Sequence, residues 1–196
     1  MTDMFFEMPR SKRDRSLSNY FFDLESGTPV DVRLAPLFGS RKNVAMRDRE
    51  RVSLYSGGGG LVSNAVDFAR FEEAMHNGVS LNGTSILGPK IVTYMPANHL
   101  SADSGLAGFG EQPGVDAVDT GVGSGLGFGV VTSAVKNAVI GSVGEYNWGG
   151  AARTVFWIDP VEELVVVSMI QLMNSPWPLR ANLKVAVYQA LDDIYQ

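Results

Sequence analysis

The sequence predicts an α+β fold, an antiparallel sheet with helices packed against it. Three patterns point there. Four segments between Leu126 and Gln171 are rich in Val, Ile, Phe, Tyr and Trp and are separated by turn-sized connections, the signature of short paired strands. Leu179, Leu183, Val187, Ala190, Leu191 and Ile194 recur at helical spacing, which makes an amphipathic closing helix. Upstream, a broad apolar set after a glycine run reads as a mostly buried helix. A chain of 196 residues that is 45% apolar suits one domain or a large piece of a bigger one.

The elements follow in chain order. Phe5 to Arg33 reads as short extended pieces turning at Ser26-Gly27, with Tyr20-Phe21-Phe22 as the strand. After Gly57 to Gly60, Ser63 or Asn64 can cap a helix carrying Val66, Phe68, Ala69, Phe71, Ala74 and Met75, and Asn77-Gly78 stops it. Pro89 fits the first turn of a short helix through Met95. Residues 101–125 are rich in Gly, Asp and Ser and lack any period, and a loop that long is usually functional or mobile. The expected strands are Leu126 to Thr132, Val143 to Trp148, Ala151 to Asp159 and Leu164 to Gln171. Asp159-Pro160-Val161-Glu162 joins the last two as a hairpin. The expected organisation is a single partial domain over 1–196, irregular and helical over 1–125, strands plus a closing helix over 126–196.

Composition removes several function classes. The chain has no cysteine and two histidines, His76 and His99, so disulfides, thiolate metal sites and a cysteine nucleophile are excluded. Oxidising compartments permit disulfides without requiring them, so no compartment is assigned. No apolar run approaches the ~18–20 residues of a membrane span. The formal net charge is -5, yet residues 1–53 hold ten basic and eight acidic residues. Their clusters, Arg10 to Arg15 and Arg41 to Arg51, are interrupted by Asp14, Asp48 and Glu50. They read as a salt-bridged surface rather than a phosphate-binding patch, because overall acidity opposes nucleic-acid binding.

Glycine is in excess, 22 residues, thirteen of them between Gly105 and Gly150. Within that region, Gly144-Glu145-Tyr146-Asn147-Trp148-Gly149-Gly150-Ala151-Ala152 and Thr154-Val155-Phe156-Trp157-Ile158-Asp159-Pro160 resemble a segment of the serine β-lactamase-like hydrolases. The nearest branch is similar to class C β-lactamases and family VIII carboxylesterases, with penicillin-binding-protein-like relatives. Ser56 to Ser63 with Asp67 to Phe71, Leu87-Gly88-Pro89 and Leu126 to Gly129 resemble further stretches of that family, in the family's order.

The resemblance implies a partial β-lactamase/transpeptidase-like fold lacking its N-terminal half, and acyl transfer through a serine acyl-enzyme. Such chemistry needs a Ser-x-x-Lys nucleophile, a Tyr-x-Asn and a third motif on a strand. The third motif matches Trp148-Gly149-Gly150, and the resemblance implies that the oxyanion-binding amide belongs to Ala151. Trp148 replaces the lysine of true β-lactamases, which favours an esterase-like parent. Arg153 stands where a small residue is expected and reads as a substrate contact or a partner for a nearby carboxylate. Arg180 lies where class C enzymes place substrate-carboxylate contacts, and it reads as either such a contact or surface structure. No metal or organic cofactor is implied. The expected substrate of the complete parent is a small ester or amide.

The first two motifs are missing. Met1 to Phe6 resembles an internal family segment that follows Tyr-x-Asn, so the chain is expected to begin within the family domain. Its one formal Ser-x-x-Lys, Ser133-Ala134-Val135-Lys136, falls beside a strand and in the wrong order, and reads as coincidence. The chain by itself is therefore expected to be inactive. The competing expectation is a non-catalytic module that pairs with another copy through exposed sheet edge or apolar face.

Overall fold

A computed structural model describes residues 1–32, 52–78, 83, 85–100 and 121–192. The second basic cluster, most of the loop over 101–125 and Ile194 therefore lie outside the described residues, while the closing helix ends at Tyr188, short of Ala190 and Leu191.

Two sheets carry the strands. The larger has five, all antiparallel, in the order β3-β4-β5-β6-β7: β3 (Val122–Ser124), β4 (Gly129–Val131), β5 (Tyr146–Gly149), β6 (Val155–Asp159) and β7 (Leu164–Ser168). The predicted hairpin at Asp159 is present, with Asp159 opposite Leu164 and Val155 opposite Ser168. Asp159 makes that turn, its Oδ1 accepting from the Val161 and Glu162 amides at 3.1 and 3.3 Å, the local bonding that favours Asp in turns.

The strands are shorter than the apolar runs that announced them, and the sheet starts upstream of residue 126, at Val122. Leu126 and Gly127 form a turn rather than strand: Gly125 N–H donates to Phe128 C=O at 2.7 Å, and Gly127 has φ +89°. The second sheet is β2-β1-β8, with β1 (Tyr20–Asp23) antiparallel to β2 (Thr28–Asp31) and parallel to β8 (Leu172–Met173). Residues far apart in the chain thus meet through Tyr20 and Leu172.

Helices cover both faces of the large sheet. α1 (Ala65–His76) begins at Asn64, whose side chain accepts from Asp67 N–H at 2.8 Å, and it packs on β7. With α2 (Pro89–Tyr94) it covers an apolar cluster of Met75, Val92, Phe128, Val130, Tyr146 and Ile158. Strand alternation sends Glu145, Asn147 and Trp157 to the other face, under α4 (Leu179–Tyr188). There Lys184 Nζ lies 5.7 Å from the Trp157 ring centre, within cation–π reach.

The N-terminal segment is docked on α1. Phe5 and Val62 exchange two backbone hydrogen bonds of 2.8 Å. The buried Asp67 carboxylate accepts from the Thr2 and Asp3 amides at 2.7 and 2.6 Å and from Arg70 at 2.8 Å. Lys12 and Arg15 pair with Asp3, so the first basic cluster is tied to a carboxylate as the charge pattern indicated.

Candidate functional site

The β5–β6 hairpin is closed by a short loop. Gly150 N–H donates to Thr154 C=O at 2.8 Å, and Arg153 N–H to Gly150 C=O at 2.9 Å. Ala151 and Ala152 cross the tip, and Arg153 turns the chain back with φ +64°. That left-handed position is ordinarily glycine's in three-residue hairpin loops. The Arg153 guanidinium is anchored on Ser175 C=O at 2.7 Å. Ahead of the loop, a side chain at Gly150 would overlap the Thr154 hydroxyl, and one at Gly149 would press on Thr154 C=O at 3.3 Å. That close crossing leaves little room for a side chain at either glycine.

Gly149, Gly150, Arg153, Thr154, Leu179 and Arg180 line one narrow cleft between this hairpin and the start of α4. Its enclosed space, ≈ 20 Å³, is about that of a single water. Four of the six residues singled out from the sequence therefore meet. Of the other two, Ala151 is exposed at the hairpin tip, and its amide finds no acceptor among the described residues. Trp148 is half-buried on β5 opposite Phe156 and does not line the cleft. A larger hollow of ≈ 410 Å³ runs along α2 past Pro89, Thr93 and Tyr94, but it is open and brings no convergent polar groups together.

The cleft offers donors without a base. Neither Arg153 nor Arg180 meets a carboxylate among the described residues, and neither histidine lines the cleft. Ser133 serves as the N-cap of the four-residue helix α3 (Ala134–Asn137), its Oγ accepting Lys136 N–H at 3.4 Å. Among the described residues no cluster of His, Asp and Glu could hold a metal ion, and no helix is long and apolar enough to cross a membrane.

Beneath the cleft lies a buried polar network that the sequence reading did not single out. Lys184 Nζ donates to both oxygens of Glu145, at 2.6 Å to Oε1. Asn147 Nδ2 donates to the same Oε1 at 3.1 Å, and Arg180 Nη1 donates to Asn147 Oδ1 at 3.1 Å. Tyr188 OH donates to Asp159 Oδ2 at 2.6 Å and stands 3.3 Å from Glu145 Oε2. Burial pushes the Glu145 carboxyl above its ordinary range, and the Lys184 ammonium opposes that push. Burial and the Asp159 carboxylate hold Tyr188 well above an ordinary phenol.

The model of the Beta-lactamase family matches residues 1–190. The chain belongs to the Beta-lactamase family. Two curated relatives from Mycobacterium tuberculosis, Protein Rv1367c (strain ATCC 25618 / H37Rv) and Uncharacterized protein MT1414 (strain CDC 1551 / Oshkosh), are each 30% identical over 122 residues. That match takes in 61% of this chain and 29% of theirs.

Solved structures extend the fold similarity over nearly the whole chain. EstCE1, a hydrolase with promiscuous acyltransferase activity, superposes at TM-score 0.68 with 22% identity, over 94% of this chain and 45% of EstCE1. Simvastatin Synthase (LovD) from Aspergillus terreus superposes at TM-score 0.72 with 17% identity, over 98% of this chain and 47% of LovD. The chain thus spans less than half the length of these Beta-lactamase-like folds.

Thr154 and Leu179, which line the cleft, and Asn147, which bonds Arg180 behind it, are not singled out by the sequence. Thr154 and Leu179 reach the cleft only through hairpin closure and helix docking, which no local pattern encodes. Asn147 did leave a trace: it is a polar residue flanked by aromatics, Tyr146 and Trp148, in a strand.

Proposed function

We propose that this chain forms one wall of a serine-dependent acyl-transfer site, in the manner of family VIII carboxylesterases and class C β-lactamases. In this reading the Ala151 amide donates to the oxyanion of an attacked ester or amide carbonyl. Gly149 and Gly150 keep the wall thin enough for that approach, Arg153 and Arg180 contact the substrate, and Trp148, outside the cleft itself, precedes the glycine pair on β5. The observation that supports it is the convergence of Gly149, Gly150, Arg153 and Arg180 on one cleft beside an amide without an acceptor among the described residues. The chemistry needs no metal or cofactor. The substrate is a small ester or β-lactam-like amide, the class implied by the resemblance to family VIII carboxylesterases and class C β-lactamases.

The nucleophile is the missing part. With Ser133 committed to a helix cap and no Tyr-x-Asn in the sequence, the chain alone holds oxyanion donors but no group to attack. It is therefore inactive by itself, and its parent activity requires a Ser-x-x-Lys from another segment or chain. The test is intact-mass analysis after incubation with p-nitrophenyl butyrate or nitrocefin. No covalent adduct is expected. Turnover that Ser133→Ala abolishes would overturn the assignment.

A second reading, a non-catalytic pairing module, rests on β7. Among the described residues this strand pairs on one side only, with β6. Its sequence Leu-Val-Val-Val-Ser carries no charge and no proline, the features that ordinarily blunt an edge. Such an edge accepts a strand from a second copy.

A further inference from the structure

The cleft and the buried ion pair are joined by one side chain. Asn147 uses both ends of its amide: Nδ2 donates to Glu145 Oε1 at 3.1 Å, and Oδ1 accepts from Arg180 Nη1 at 3.1 Å. The charges at the two ends fix the amide's orientation, because a carboxylate accepts only and a guanidinium donates only. Glu145 is held in turn by Lys184, and both are almost completely removed from solvent, at 0% and 2% exposure. The anchor behind Asn147 is therefore immobile, and the group in front of it lines the cleft with Gly149 and Gly150.

We propose that Asn147 is a positioning residue: its Oδ1 holds the Arg180 guanidinium at the Gly149–Gly150 wall, and its Nδ2 bond to Glu145 fixes which way the amide faces. The proposal rests on reading this cleft as the acyl-site wall, but the linkage itself is a property of the chain that can be measured without turnover. Arg180 sits in the first turn of α4 and makes no ion pair among the described residues. A long, flexible arginine in that setting samples many rotamers unless something holds its head. Asn147 is the only described side chain that does so. Leucine fills the space and bonds neither partner, whereas aspartate keeps an acceptor for Arg180 but sets a second negative charge beside Glu145.

The test is the rate of phenylglyoxal modification at each arginine of the intact chain, read by peptide mass spectrometry with Arg153 as internal reference. In N147L, Arg180 modification accelerates by about tenfold, the loss expected of one charge-assisted hydrogen bond, while Arg153 keeps its rate. In N147D, Arg180 stays protected although thermal stability falls. E145Q is a second control that likewise retains the acceptor facing Asn147: it lowers stability by leaving Lys184 without a counter-charge, yet leaves Arg180 protected. A purely structural role for Asn147 would instead release Arg180 in proportion to lost stability in every variant. That outcome, or an unchanged Arg180 rate in N147L, overturns the proposal. Either result leaves the acyl-site reading to its own adduct test, so the two stand or fall separately.

Discussion

Glu72 shares the α1 face of Phe68, Phe71 and Met75, and no solvent reaches it. Neither carboxylate oxygen has a hydrogen-bond partner among the described residues, and burial alone pushes its carboxyl from 4.5 up to about 8. A carboxyl whose pKa rises on folding binds more protons in the folded state, so its contribution is fully present below pH 4.5 and is lost as pH rises through 8. At pH 7 the cost of keeping it protonated is on the order of 3 kcal/mol. Glu72→Gln is therefore expected to raise the urea midpoint at pH 8 and flatten its pH dependence between pH 5 and 9. Parallel profiles for the two proteins would contradict this. The sequence showed Glu72 only as a polar residue in a helix. Arg153 left no local mark of its φ of +64° either, and its guanidinium bonds the Ser175 carbonyl rather than a carboxylate.

Among the elements, the helices were the more readable. Asn64 caps α1 and Pro89 starts α2, as local chemistry indicated, because caps and first turns are decided by neighbours in sequence. Asn64→Ala is expected to cost about 1 kcal/mol, measured by equilibrium unfolding; no loss would mean that Asp67 and the docked N-terminal segment hold the turn unaided. Strand ends were less readable, since apolar content continues into turns. The run from Leu126 yields only Gly129–Val131 because Gly127 turns the chain at φ +89°. The parallel pairing of β1 with β8 joins segments about 150 residues apart and left no local mark. Gly141, before β5, has φ +152°, and a side chain there would overlap Glu145 Oε2 and crowd Lys184. Gly141→Ala should thus destabilise by about 2 kcal/mol, whereas the same change at exposed Gly57, which has open space around it, should be nearly neutral.

At the scale of the whole molecule, the family and four residues that line the cleft could be read from glycine-rich segments and their flanks, since close backbone crossings favour glycine. The polar network behind that cleft could not, because it is assembled from β5, β6 and α4. The open edge of β7 belongs to this scale too. Light scattering should find a dimer or larger assembly, and a clean monomer would remove the pairing reading. The central claim is that the chain holds the donor side of an acyl site and no attacking group. The most direct measurement is intact-mass analysis after exposure to p-nitrophenyl butyrate and nitrocefin. The account predicts an unmodified mass with both reagents; a stoichiometric acyl adduct lost in Ser133→Ala would contradict it.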